Sequence, residues 1–123
     1  MSEYMKQVKA KMLQTGVVFS AKTRHPALED EGLALKRFFV EPAQLKELIV
    51  GAQISSVIAR QELVNVVNTE LGLALEASSE PLTFTGHVVL VQYSGPQLPD
   101  GATTLPEGAS IEWGVVLDMS LYS

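Results

Sequence analysis

Few side chains in this sequence are of a type that performs acid–base or nucleophilic chemistry near neutral pH. There are two histidines, His25 and His87, and no cysteine, which excludes thiolate nucleophiles, thiolate metal sites and disulfides. His25 stands before Pro26 in a polar stretch beside Arg24. It reads either as a solvated loop residue or as a proton donor, because histidine titrates near neutrality. His87 follows Gly86 at the head of an apolar run and reads as a strand-edge side chain, with the same capacity for proton transfer. A serine–histidine–acid arrangement can be assembled from either histidine and almost any serine, so that pattern carries no specificity. The sequence contains no phosphate-cradling glycine loop, zinc-type cluster or nucleophile elbow. Neither a cofactor nor a metal is expected.

Arg60 offers a different chemistry. It opens a segment, residues 60–71, with helical spacing, and so places a cation at the helix end where free backbone N–H groups favour anions. The arrangement is unfavourable unless something compensates. A phosphate would do so; so would an ion pair with Glu62, Glu70 or an acid of a partner chain. The sequence leaves both readings open.

The elements that position these residues follow from hydrophobic spacing. Residues 2–14 carry Met5, Val8 and Met12 at helical intervals, Gly16 breaks the pattern, and Val17, Val18 and Phe19 read as a buried strand. Residues 23–32 form a polar loop and 34–40 a second strand; Pro42 then starts a helix with Leu45, Leu48 and Ile49 on one face, ended by Gly51. An extended piece, Ile54 to Ile58, leads into the clearest helix, with Leu63, Val64, Val67 and Leu71 on one stripe and Gly72 as its cap. Leu82 to Phe84 reads as a short strand, and His87 to Tyr93 is apolar enough to be central in a sheet. Residues 94–108 are a loop with two proline-initiated turns, Leu98-Pro99-Asp100-Gly101 and Leu105-Pro106-Glu107-Gly108, before a last strand from Ser110 to Met119. The expected fold is therefore α/β (α+β), a mixed sheet of four or five strands packed with two or three helices.

Composition bounds the partners. The chain has 123 residues, enough for one domain with its own core. Its 14 acidic against 9 basic residues give a formal net charge of −5, which disfavours broad binding to duplex nucleic acid while allowing a small anion in a local pocket. No segment approaches the ~20 apolar residues of a membrane span, so no membrane partner, signal peptide or anchor is expected, and the cytoplasm is the expected compartment.

The stretch from Ile54 through Ile58-Ala59-Arg60 to Leu71-Gly72 resembles the central motif of the viral ring nucleases, in which isoleucine, glycine and histidine precede a helix closed by leucine-glycine. The strand Val89 to Gln92, followed by Gln97-Leu98-Pro99-Asp100-Gly101, is similar to that family's buried strand and its arginine-leucine-proline-glutamate-glycine turn. The resemblance covers about residues 15–118; residues 1–14 are then an N-terminal extension and 15–123 the ring-nuclease-like domain.

The resemblance implies a homodimer that binds cyclic tetra-adenylate across its two-fold axis and cleaves it, silencing type III CRISPR signalling in the cytoplasm of an infected host cell. In such proteins the ligand's own 2′-hydroxyl is the nucleophile and the family histidine protonates the leaving oxygen. The ligand-binding positions would here be Ser20, Ser56, Arg60, Gln61 and Gln97. Three positions depart from the family pattern: Arg60 replaces the histidine, Gln97 the arginine, and Ser20 to Thr23 lacks the asparagine. Arginine stays protonated and is no general acid, and losing such a donor commonly costs about 10² to 10⁴ in rate. The expectation is a viral anti-defence protein that sequesters a cyclic oligonucleotide or a related anionic second messenger, or cleaves it weakly, with no catalytic residue assignable. The alternatives are a protein-interaction module that blocks a host defence protein or has a structural role, and an active nuclease that uses His25 or His87.

Overall fold

The computed structural model describes residues 2–21, 35–80 and 87–118. Helix α1 (Glu3–Thr15) is started by Ser2, whose Oγ accepts a hydrogen bond from the Met5 amide at 3.2 Å. It ends at Gly16, which has a φ of 77°. Strand β1 (Val17–Ser20) follows, and all four of its residues are buried. Strand β2 (Leu35–Val40) leads to α2 (Pro42–Ile49), where Pro42 occupies the first turn and Glu41 and Gln44 form a reciprocal capping box. Strand β3 (Ile54–Ser56), helix α3 (Gln61–Leu71), strand β4 (His87–Ser94) and strand β5 (Ser110–Asp118) complete the described elements. The expected strand at Leu82 to Phe84 and the polar loop at 23–32 lie outside the described residues.

The five strands form one mixed sheet in the order β2-β5-β4-β1-β3. Strand β1 runs parallel to both β3 and β4, and β5 is antiparallel to β4 and β2. Strand β4 is thus central, as its apolar run requires. Alternation along the strands sorts side chains onto two faces. Val17, Phe19, Val89, Val91, Val115 and Leu117 share a core with every buried residue of the three helices, whereas Val18, Val88, Leu90 and Val116 form a second cluster that includes no helix residue. Residues 2–15 belong to the first core through Val8 and Met12, both fully buried.

Helix α3 packs as its spacing requires. Leu63, Val64, Val67 and Leu71 are buried with Val89 and Val91, and Val66 joins them. Gly72 closes the helix in the left-handed conformation, φ 66° and ψ 38°, with its N–H on the Asn68 carbonyl. Two turns form in the loop after β4, each one residue later than the expected Leu98–Gly101 and Leu105–Gly108. Ala102 N–H bonds the Pro99 carbonyl at 3.0 Å and Ala109 N–H the Pro106 carbonyl at 3.1 Å. Each proline is therefore the first residue of its turn, and Gly101 and Gly108, at φ 76° and 82°, take the third position where a type II turn needs positive φ.

Candidate functional site

Because β1 and β3 are parallel and adjacent, their carboxyl ends, Ser20 and Ser56, lie on the same edge of the sheet. That edge is where open α/β sheets place their ligand crevices. The chain leaves β3 there, passes through Val57, Ile58 and Ala59, and enters α3 at Arg60. A cleft of about 320 Å³ opens at this point, lined by Ala21, Ile58, Arg60, Leu63 and Glu80 among others. Its far wall is the segment after α3. Asn68 fixes that segment by bonding both the N–H and the carbonyl of Leu75, at 2.8 and 3.0 Å, and Ser78 N–H reaches the Ile58 carbonyl at 2.9 Å.

Arg60 is the N-cap residue of α3 and supplies no side-chain acceptor to the first turn. The leading amides of the helix are consequently left for solvent or an anion. Its guanidinium spans two elements: Nη2 donates to the Leu98 carbonyl at 3.0 Å, and Nε lies 3.7 Å from a carboxylate oxygen of Glu62. Of the two acids of this chain open to it from the sequence, Glu62 and Glu70, the structure pairs it with Glu62, and it adds the Leu98 carbonyl, which ties the loop after β4 to the start of α3. The side chain is 44% exposed, so guanidinium N–H groups remain open to the cleft. Glu80 also lines the cleft, so among the described residues the Arg60 cation stands with two carboxylates, Glu62 and Glu80.

The other four expected ligand contacts are dispersed. Ser20 is fully buried and stands opposite Leu90, on the face away from the helices, whereas Ser56 stands opposite Phe19, on the helix face. The two serines therefore point to opposite sides of the sheet. Ser56 Oγ accepts from Ile58 N–H at 3.1 Å and shapes the turn into the cleft. Gln61 is exposed and spends its amide on Asn65 at 2.8 Å. Gln97 is exposed, immediately before the Leu98 tethered by Arg60. Glu80 and the Leu98 carbonyl are the site groups that spacing alone did not indicate.

The strand-edge reading of His87 requires correction. Its side chain is fully buried at the amino end of the central strand, on the helix face, with Nδ1 2.7 Å from Thr15 Oγ1. Burial pushes its pKa down to about 4, with the Asp118 carboxylate opposing in part. Ser20, at the cleft edge of β1, stands opposite Leu90, three residues along β4 from the buried His87 and so about 10 Å from it at ~3.3 Å per residue. His87 thus lies out of reach of the Arg60 cleft and cannot deliver a proton there. His25 lies outside the described residues. Among the described residues there is no group of histidine, aspartate and glutamate side chains able to hold a metal ion, and no helix long and apolar enough to cross a membrane.

No protein-family profile matches the chain, and no curated protein matches its sequence. Among solved structures, the chain is similar to B116 of Sulfolobus turreted icosahedral virus, with a TM-score of 0.65 and 16% identity over 82% of this chain and 97% of that one. At that identity the likeness shows a shared fold.

Proposed function

We propose that this chain is a viral anti-defence protein that acts as a homodimer and captures a cyclic oligonucleotide, or a related anionic second messenger, at the cleft where β1 and β3 end and α3 begins. The observation that carries this reading is the uncapped start of α3 with the half-exposed guanidinium of Arg60 above it, an arrangement suited to a phosphate. The fold shared with a viral protein and the motif resemblance around Ile58 to Gly72 support it. The homodimer of this reading brings a second Arg60 across a two-fold axis, which adds positive charge beside Glu62 and Glu80. Two-fold dimers are the commonest soluble oligomers. Cleavage is weak or absent in this account, since arginine is no general acid and His87 is out of reach.

Arg60→Ala should weaken cyclic tetra-adenylate binding by about 1.5–3 kcal/mol, the range for a charge-assisted hydrogen bond, with the melting temperature held as a control for the lost Leu98 tether. Arg60→His restores a possible proton donor, yet no rise in linear product is expected by mass spectrometry, because Gln97 and the Ser20 strand also depart from the family pattern. Unchanged affinity in Arg60→Ala would remove the phosphate role. The presence of Glu62 and Glu80 beside Arg60 favours a second reading, a protein-interaction module without nucleotide binding. A stoichiometric host-protein complex combined with failure to bind any cyclic nucleotide would establish that reading instead.

A further inference from the structure

A second concavity lies at the other flank of the sheet, where β2 ends and β5 begins. It measures about 420 Å³ and is walled on the helix face of the sheet by Val40, Pro42, Leu105, Ile111 and Trp113, within the ~300–1,000 Å³ range of ligand pockets. Glu41 and Glu70 also line the cleft and Glu112 stands at its rim on the other face of β5, while among the described residues no lysine, arginine or histidine lines it. None of the three carboxylates has an ion-pair partner among the described residues. They are not gathered closely enough to hold a metal ion. Apolar walls with carboxylates spread around them match a long cationic side chain, whose methylene stem packs on apolar surface while its charged head reaches an acid at the rim.

We propose that this cleft docks a peptide segment of a partner protein that presents lysine or arginine between apolar side chains. Strand β2 is an edge strand of the sheet, so an extended segment has access to the cleft from that side. The proposal does not depend on nucleotide capture, because the cleft shares no lining residue with the one at Arg60.

Trp113 is the single tryptophan of the chain and lines the cleft, so its fluorescence reports occupancy directly. Titration of the full chain with an acetylated, amidated peptide that alternates leucine and arginine should give a saturable change in emission. The same peptide with glutamate in place of arginine should give none. The double variant Glu70→Gln, Glu112→Gln should bind the arginine peptide about five- to tenfold more weakly and lose most of the salt dependence, whereas Arg60→Ala should bind it unchanged. The proposal is overturned if the arginine and glutamate peptides behave alike, if the double variant binds as tightly as the parent, or if free arginine amide matches the peptide. It is likewise overturned if raising the concentration of the chain alone produces the same change in Trp113 emission, which would show that a second copy closes the cleft.

Discussion

Val67→Asp should abolish folding of the domain. Val67 is fully buried in the middle of the α3 stripe, in the core that contains Val89 and Val91 of the central strand. A carboxylate placed there has no cation within the helix face, because the stripe it joins is Leu63, Val64, Val66 and Leu71. Burying an unpaired charge costs several kcal/mol, against a total stability of ~5–15 kcal/mol for a domain. Val67→Ala removes only methyl groups and should cost about 1–3 kcal/mol, leaving a folded protein with a lowered melting temperature. Circular dichroism melts of the two variants separate these outcomes; a Val67→Asp protein that melts with the parent would show that α3 does not pack on β4.

Stability should fall as the medium is acidified from about pH 6.5 toward 4, and His87 should account for a distinct part of that fall. Its folded-state pKa is lowered to about 4 from the ordinary 6.5, chiefly by burial. The fold therefore holds the neutral imidazole. Above pH 6.5 both folded and unfolded chains carry it uncharged, and there is no penalty. As the pH falls through the window between the two values, the unfolded chain takes up a proton that the folded chain refuses, and stability is lost at ~1.4 kcal/mol per pH unit. The loss attributable to His87 reaches about 3 kcal/mol near pH 4. Among the described residues, Thr15 of α1 is hydrogen-bonded to Nδ1, and Asp118 of β5 moderates the shift through its carboxylate. His87→Gln should flatten this part of the profile. Urea midpoints measured at pH 7 and 4.5 for both proteins provide the test, and an identical pH dependence would contradict the burial argument.

These two residues also show which parts of the fold can be read from the sequence. Helix α3 is legible because its information is local: the apolar stripe repeats every three to four residues and Gly72 ends it in the conformation glycine favours. The central place of β4 is legible for the same reason, since a run apolar at every position demands cover on both faces. His87 misleads because its burial is settled by Thr15, 72 residues earlier in the chain. The start of an apolar run does not reveal which helix end closes over it. The tether from Arg60 to the Leu98 carbonyl spans 38 residues and uses a backbone acceptor, for which no side-chain pattern exists. Ser20 and Ser56 fall on opposite faces because β1 and β3 pair with Phe19 beside Ser56, and a shift of one residue in that register would have reversed the result. The candidate site was thus legible at Arg60 and at the loop beginning with Gln97, but not in the way these pieces meet.

The proposed capture of an anionic ring at the Arg60 cleft is tested most directly by calorimetric titration of cyclic tetra-adenylate into the full chain. The account predicts saturable heat at one ring per two chains, the ratio that follows from a ring held across the two-fold axis of the proposed dimer. The absence of heat with cyclic tetra-adenylate and with every related cyclic nucleotide would contradict it.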